Sequence, residues 1–244
     1  MHLGESRDRR RAAESHRMYR RTLLSLGAVI ASALLIAGCG GSSASTTATV
    51  TPPQAKTGCT FKQPATAGAK KQQFARAGKV LQAGKRYAIV LTTTCGTISV
   101  ILDRQRGGPI PNSIAFLATK RFYDGLTFHR VVPDFVLQGG DPAGDGSGGP
   151  GYSVVGAPSE TYKYRIGDLA MAKTQNAPRG DAGSQFFVIS GASGTQLPPD
   201  YGILGHASDP GSLATIRRIA ALAISDGAPS KPVWIVTARL KVLG

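Results

Sequence analysis

The sequence predicts a mainly β domain whose short strands close into a barrel, with two α-helices covering the barrel ends. Short apolar and β-branched runs recur through residues 85–244, as is typical of strands. Loops rich in glycine and proline separate these runs, and the chain holds 31 glycines and 15 prolines in 244 residues. Two further segments combine helix-start signals with apolar faces. A segment of about 160 residues is a normal size for a single domain.

Residues 1–38 have the composition of an export signal. Basic residues cluster before Leu23, an apolar run continues to Ala37, and small residues lie at its end, in the order of a secretory leader. The apolar run is about 15 residues, shorter than the ~20 that cross a bilayer as a helix. A membrane anchor made of this helix alone is therefore disfavoured.

The residues Ile36-Ala37-Gly38-Cys39 resemble a bacterial lipobox, whose cysteine is lipidated and becomes the first mature residue. A thioether-linked diacylglycerol carries two acyl chains, which is enough for stable membrane anchoring. We therefore expect an extracytoplasmic protein, anchored to the bacterial cell membrane through a lipid on Cys39. An ordinary secretory signal that contains a cysteine by chance is the alternative.

Between the leader and the domain lie two segments of different composition. Residues 39–56 are rich in Gly, Ser, Thr and Pro, which predicts a flexible tether. Residues 57–84 are more mixed and form an N-terminal arm that is expected to be partly ordered at most. Cys59 lies in this arm and Cys95 in the domain. An oxidising compartment permits a disulfide between them, but two independent buried thiols fit equally, since sequence does not give their separation.

The domain, residues 85–244, begins with two β-rich runs that Cys95-Gly96 separates, as in a hairpin. The first predicted helix follows Pro109 and Pro111, because proline is favoured at helix starts. The predicted strands are residues 87–94, 97–102, 127–132, 135–138, 166–172, 185–189 and 232–242, and the predicted helices are residues 112–119 and 212–223.

The formal net charge is +15, which suits contact with anionic lipid or acidic polymers at the cell surface but is interpreted as a general surface property rather than a specific site. Nucleic acid is not an expected partner, since the basic residues are not interleaved with aromatic ones in a recognised binding motif. The four histidines and three cysteines are too dispersed for a known metal-binding spacing. No metal or other cofactor is predicted.

The run Phe128-His-Arg-Val-Val-Pro-Asp-Phe-Val-Leu-Gln-Gly-Gly-Asp-Pro142 places an arginine inside an apolar, strand-like segment. Such an arginine is costly to bury without a partner or a task. Together with Gly183-Ser-Gln-Phe-Phe-Val-Ile189, the run resembles the active surface of cyclophilins, which are peptidyl-prolyl cis-trans isomerases. The resemblance covers residues 85–242. It implies an eight-stranded antiparallel β-barrel capped by two α-helices, and an activity without a cofactor.

The resemblance also implies a catalytic group of Arg130, Phe135 and Gln138. Rotation about an X-Pro bond has a barrier of ~18–20 kcal/mol because the amide is conjugated. In the twisted amide the prolyl nitrogen gains basicity and can accept a hydrogen bond. A guanidinium stays protonated at any ordinary pH and offers five N–H donors, so Arg130 is the predicted donor. The alternative is a structural arginine that a carboxylate at the edge of the barrel satisfies.

Seven further residues match substrate-contacting positions of the family. Three depart from its common pattern, because many members carry methionine at the position of Val136, asparagine is common at that of Lys173, and many relatives have histidine at that of Tyr201. The predicted substrate-binding residues are Val136, Ala172, Lys173, Gln185, Phe187, Leu197 and Tyr201.

His129 is predicted to be structural, because strand alternation turns it away from the face that carries Arg130. The expected function is therefore isomerisation of X-Pro bonds in exported or envelope proteins. Proline-containing polypeptides are the expected partners and a monomer is the expected state. The alternatives are a chaperone that binds the same segments with little turnover, and a surface-attached binding module.

Overall fold

The computed structural model describes residues 58–69 and 71–244. The leader, the predicted tether and Cys39 lie outside this range. The described chain is mainly β with two α-helices, which confirms the predicted fold class. The strands are β1 Arg86–Thr93, β2 Gly96–Leu102, β3 Arg130–Val131, β4 Val136–Gly139, β5 Val154–Val155, β6 Asp168–Met171, β7 Asp181–Ala182, β8 Phe186–Ile189, β9 Ile203–His206 and β10 Ile235–Leu243. The helices are α1 Ile110–Thr119 and α2 Pro210–Ala220.

Eight of the strands form one antiparallel sheet in the order β10-β1-β2-β9-β6-β8-β4-β3. β5 and β7 pair separately. The segments that precede the two edge strands meet, since Thr127 bridges Trp234 and Phe128 N donates to Val233 O at 3.0 Å. These bonds join the two ends of the curled sheet and cover part of its edges.

Several elements differ in extent from their predicted ranges. The strand predicted at 127–132 shrinks to β3, because the residues just before it pair with the other end of the sheet rather than with β4. The strand predicted at 166–172 begins after Gly167, whose φ of +92° breaks the extended conformation. Both helices begin two residues earlier than predicted, with proline in the first turn, where its missing N–H costs nothing.

The main core fills the inside of the curled sheet. Alternate residues of β1, such as Ile89 and Leu91, point inward and pack with Ile98 and Val100 of β2. α1 adds a buried face that includes Ile114. Fully burying each such side chain contributes about 1.5–3 kcal/mol, so alternation of apolar residues dictates which face of each strand turns inward. Neither helix in the described ranges is long and apolar enough to cross a bilayer.

Residues 58–69 and 71–85 contain turns but no helix or strand, and several of them contact the domain. Of the two alternatives for the cysteines, the structure contains the disulfide, with Cys59 and Cys95 Sγ atoms 2.08 Å apart. Phe74 packs edge-on against Phe116 of α1, with ring centroids 5.1 Å apart. Leu81 is buried in the main core. These contacts attach the described part of the arm to the domain.

A buried carboxylate joins the segment after α1 to β10. Asp124 is 4% exposed, accepts from Ala238 N at 3.0 Å and pairs with both terminal nitrogens of Arg239 at 2.8 Å. Asp124→Ala leaves the buried Ala238 N–H without a partner, which costs about 1–3 kcal/mol. Because Arg239 is partly exposed, we expect about 2 kcal/mol less free energy of unfolding, measured by urea denaturation.

The matched control for this substitution is Asp103→Ala, which removes a carboxylate from the more exposed pair with Arg106. Exposed pairs contribute little, so this variant should unfold within about 0.5 kcal/mol of the parent. Equal destabilisation by the two substitutions would contradict the role given to Asp124.

Candidate functional site

One row of side chains crosses four strands on the outer face of the sheet. Arg130 of β3 pairs with Gln138 of β4, Gln138 with Phe187 of β8, and Phe187 with Ala170 of β6. Neighbouring positions on these strands, such as Leu137, point into the main core. Since side chains alternate along a strand, the row faces outward. The register therefore places a cation, an amide, an aromatic ring and a small residue side by side.

A second apolar cluster, separate from the main core, forms on this outer face. It bounds a pocket of about 160 Å³ whose walls combine strand and loop residues. The pocket is lined by Arg130, Phe135, Val136, Gln138, Ala172, Lys173, Phe187, Leu197 and Tyr201. The structure thus brings together all of the residues predicted for catalysis and substrate binding except Gln185, which lies beside the pocket.

The loop that carries Phe135 is held by the residue before it. Asp134 adopts a φ of +51°, in the left-handed region that aspartate tolerates better than most residues. Its carboxylate accepts from Ala192 N at 2.8 Å and from Ser193 Oγ at 2.7 Å. These hydrogen bonds lower the pKa of Asp134, so it is ionised at neutral pH. The same bonds fix the short 3-10 helix Ser193–Gln196, which precedes Leu197, against the Phe135 loop.

The main chain of Tyr201 is hydrogen-bonded to the side chain of a second tyrosine, Tyr164. Tyr164 Oη donates to Tyr201 O at 2.7 Å and accepts from Tyr201 N at 3.1 Å. Burial raises the pKa of Tyr164, which keeps its hydroxyl protonated and able to donate. The Tyr201 ring then meets Phe187 edge-on, with centroids 5.2 Å apart, and closes the apolar wall.

The polar edge of the pocket is a relay of side-chain amides. Arg130 Nη1 donates to Gln138 Oε1 at 3.3 Å, and Gln138 Nε2 donates to Gln185 Oε1 at 3.2 Å. Gln185 Nε2 in turn donates to Gly146 O at 2.8 Å and Gly148 O at 2.9 Å. Gln185 therefore acts on the site through Gln138, which presents its carbonyl to the guanidinium.

The other edge of the guanidinium is occupied by Asp226, which the sequence analysis did not single out. Arg130 Nε lies 2.5 Å from Asp226 Oδ1 and Arg130 Nη2 lies 2.9 Å from Oδ2. The ion pair lowers the pKa of the Asp226 carboxyl. A partly buried arginine is stabilised by a charge partner, and this rule indicates a carboxylate nearby. It does not indicate one that lies 96 residues further along the chain.

Two other polar residues, Lys173 and His129, lie at different distances from the pocket: the first lines it and the second does not. Lys173 Nζ donates to Ala177 O at 3.2 Å and lies 5.7 Å from the Tyr201 ring centroid. The lysine, which stands where the family commonly has asparagine, therefore lies along the edge of the pocket next to Tyr201. His129 does not line the pocket, and both of its ring nitrogens are buried without a hydrogen-bond partner. Desolvation lowers its pKa, which keeps the ring neutral at pH 7.

A larger cavity of about 590 Å³ continues from the pocket, sharing Gln138, Ala172 and Lys173 with it. Its far wall is the glycine-rich loop 146–151, and one arm residue lines it as well. Gln73 Nε2 donates to Gly149 O at 3.0 Å, while Phe74 N donates to Pro150 O at 2.8 Å. The arm, to which the sequence analysis gave no place in the site, therefore contributes to this cavity.

Chemically, the site offers a permanent cation at the mouth of an apolar pocket. The Arg130 guanidinium lies 5.9 Å from the Phe135 ring centroid, close enough for a cation–π contact. In the described ranges, no group of three histidine, cysteine, aspartate or glutamate residues is placed to hold a metal ion. The arrangement suits a neutral ligand that fills the pocket with an apolar ring and accepts a hydrogen bond at its edge.

Comparison with known proteins identifies relatives of this chain. The sequence profile of the family described as cyclophilin type peptidyl-prolyl cis-trans isomerase/CLD matches residues 88–240. A probable peptidyl-prolyl cis-trans isomerase B of Mycobacterium leprae is 34% identical over 201 residues, covering 75% of this chain and 66% of that protein. The peptidyl-prolyl cis-trans isomerase of Synechococcus elongatus is 38% identical over 133 residues, covering 53% of this chain and 86% of that protein.

A solved structure agrees in fold. The Cryptosporidium parvum cyclophilin type peptidyl-prolyl cis-trans isomerase, crystallised in the presence of the dipeptide Ala-Pro, is 26% identical with a TM-score of 0.56. The match covers 63% of this chain and 98% of that one. The mycobacterial relatives are longer than the region they share with this chain, which spans 66% and 58% of their lengths.

Proposed function

Because the chain belongs to the cyclophilin-type peptidyl-prolyl cis-trans isomerase family, we propose that it accelerates rotation about X-Pro bonds in exported or envelope polypeptides. The observation that carries the proposal is the row in which Arg130, Gln138 and Phe187 lie side by side at one apolar pocket. The proposal is supported by a guanidinium donor beside a pocket whose wall includes Phe135, Val136 and Phe187, since the reaction requires a hydrogen-bond donor next to an apolar site for the proline ring.

In the proposed mechanism the proline ring enters the pocket between Phe135, Val136, Phe187 and Leu197. Arg130 donates a hydrogen bond to the prolyl nitrogen as the amide twists and its lone pair leaves conjugation. This bond is stronger in the twisted state than in the planar one, so it lowers the barrier rather than only tightening binding. No covalent bond is made or broken, and no proton needs to be transferred.

The relay of amides supports this role for the arginine. Gln138 accepts from Arg130 and donates toward Gln185, so its side chain cannot rotate without losing both bonds. The guanidinium is thereby held at the pocket edge before substrate arrives. Such preorganised donors cost no rearrangement during the reaction.

A matching proposal concerns location. We propose that Cys39 carries a lipid and anchors the protein, as a monomer, outside the cytoplasm. The support is the lipobox-like sequence Ile36–Cys39, together with a disulfide of the kind that persists in oxidising compartments. Cys39→Ala should move the protein from the detergent phase to the aqueous phase in Triton X-114 partitioning. A wild-type protein already in the aqueous phase would contradict the anchor.

The proposed activity is tested with a protein whose slow refolding is limited by an X-Pro bond, since such phases last tens to hundreds of seconds. We expect catalytic amounts of this protein to shorten that phase, and the Arg130→Ala variant to leave it unchanged. A higher refolding yield at an unchanged rate, equal for both proteins, would instead support the chaperone alternative. If the protein changes neither the rate nor the yield of refolding, the binding module remains as the interpretation.

Pocket access gives a further prediction. Ala172 lines both the pocket and the larger cavity, so the bulk of Ala172→Leu should block the peptide path between them. We expect kcat/KM toward an Ala-Pro peptide to fall about tenfold, corresponding to ~1.4 kcal/mol of transition-state binding. Ala83→Leu, at an exposed position that lines neither cavity, is the control and should keep the parent value. A parent-like kcat/KM for Ala172→Leu would place the peptide elsewhere.

A further inference from the structure

The Arg130 guanidinium is held on more sides than the family motif alone indicates. Of the five N–H groups that an arginine offers, one on Nε and one on Nη2 point to Asp226, and one on Nη1 points to Gln138. Two N–H groups remain for a substrate. The guanidinium carbon also lies 5.9 Å from the centroid of the Phe135 ring.

The position of Asp226 beside Arg130 is determined by its main chain, because its loop is hydrogen-bonded to β3, the strand that carries Arg130. Asp226 lies in the connection between α2 and β10. The next residue, Gly227, accepts a hydrogen bond at 2.8 Å from the main chain of Val131, which follows Arg130 in β3. Ser230 N donates to Leu222 O at 2.8 Å and closes the loop. The carboxylate is therefore presented to the arginine by the backbone.

We propose that Asp226 is a positioning residue, which holds the Arg130 guanidinium so that its remaining N–H groups face the proline pocket. The inference rests on the proposed function of the site. Arg130 has 31% of its side chain exposed, and an arginine side chain is rich in rotamers. Without the carboxylate, the guanidinium keeps only the longer hydrogen bond to Gln138, at 3.3 Å. The Arg130 side chain is then able to turn toward water.

The opposite effect is also conceivable for a carboxylate beside a catalytic cation, namely competition with the substrate. Two observations disfavour it. The carboxylate engages the Nε edge in a bidentate geometry, which leaves N–H groups of both terminal nitrogens available. The guanidinium stays protonated in such a pair, so its capacity to donate is kept. Removing Asp226 should therefore impair catalysis rather than enhance it.

The test measures kcat and KM for an Ala-Pro peptide with the parent and with Asp226→Ala, Asp226→Asn and Asp226→Glu. We expect Asp226→Ala to lower kcat about tenfold with KM within twofold, since small misplacement of a catalytic group reduces the chemical step. Asp226→Asn should be intermediate, and Asp226→Glu should recover most of the activity. Asp103→Asn, which affects a pair with Arg106 that lines neither the pocket nor the larger cavity, is the matched control and should match the parent.

A spectroscopic readout separates positioning from folding. The Arg130 Nε–H group should give a sharp, slowly exchanging signal in a proton–nitrogen NMR spectrum, assigned by its absence in Arg130→Lys. We expect this signal to broaden or move in Asp226→Ala and to return in Asp226→Glu, while the amide signals of the core stay unchanged. Asp226 is 63% exposed, so its replacement should leave the fold intact.

The outcomes distinguish this inference from the function on which it rests. A parent protein without catalysis would overturn both. Catalysis that Arg130→Ala abolishes but Asp226→Ala leaves at the parent kcat would overturn the positioning role alone. An increase in kcat for Asp226→Ala would overturn it in favour of competition between the carboxylate and the substrate.

Discussion

Arg130→Ala is expected to lower kcat toward an Ala-Pro peptide by about 10²–10³-fold, the usual effect of removing a donor that stabilises a transition state. The substitution removes the hydrogen bond to the twisted prolyl nitrogen. It should not remove the pocket, since Phe135, Val136 and Phe187 keep their places in an apolar cluster of their own. KM should therefore change far less than kcat. The two constants are obtained from NMR exchange rates at several peptide concentrations.

The control for this prediction is Arg130→Lys, which keeps the positive charge and much of the side-chain length. Lysine is a point charge without the planar arrangement of donors, so it cannot engage Asp226 and Gln138 together while also facing the pocket. We expect at least a tenfold loss of kcat for this variant. Activity of Arg130→Ala within about threefold of the parent, less than 1 kcal/mol, would contradict the role of the arginine.

The second large effect concerns stability. Cys59 and Cys95 are 36 residues apart in sequence, and closing a loop of that length in the unfolded chain corresponds to about 3–4 kcal/mol in the chain-entropy model. We expect the double variant Cys59→Ala/Cys95→Ala to lose about 3 kcal/mol of unfolding free energy. Guanidinium denaturation measures this difference when both proteins are analysed with the same m value, the dependence of unfolding free energy on denaturant concentration.

Reductant provides the control for the disulfide. Adding it to the parent should reproduce most of the loss, and adding it to the double variant should change nothing. The kcat/KM of the double variant should stay within about twofold of the parent value, because sites that share no contacts act independently. Phe74 and Leu81 still attach the arm to the domain, and neither cysteine lines the pocket. Equal stability of the oxidised parent and the double variant would show that the bond imposes no constraint on the unfolded chain.

Much of the site could be predicted from the sequence, because the two motifs that contain Arg130 and Phe187 resemble those of cyclophilins over long, nearly unbroken runs. The resemblance predicted which residues belong together, and the strands show how they meet. Arg130 faces Gln138, Phe187 joins them because its strand pairs with β4 in the same register, and alternation turns these side chains to one face. These contacts are present even where the strand ends shifted by a few positions.

The parts that the sequence did not predict depend on contacts without a local pattern. Asp226 lies in an irregular loop, and nothing about that loop indicates that its main chain will bond to Val131. Gln73 likewise reaches the glycine-rich loop from a segment with no helix or strand. Such long-range contacts follow from tertiary packing, which periodicity and motifs do not encode.

The most direct test of the proposed function is two-dimensional NMR exchange between the cis and trans signals of an Ala-Pro peptide in the presence of the protein. Uncatalysed exchange takes tens to hundreds of seconds, so no cross-peaks appear within a mixing time of about one second. We predict strong cross-peaks with substoichiometric parent protein and none with Arg130→Ala. Absence of cross-peaks with a folded parent protein, shown by its own dispersed spectrum, would contradict the proposed isomerase activity.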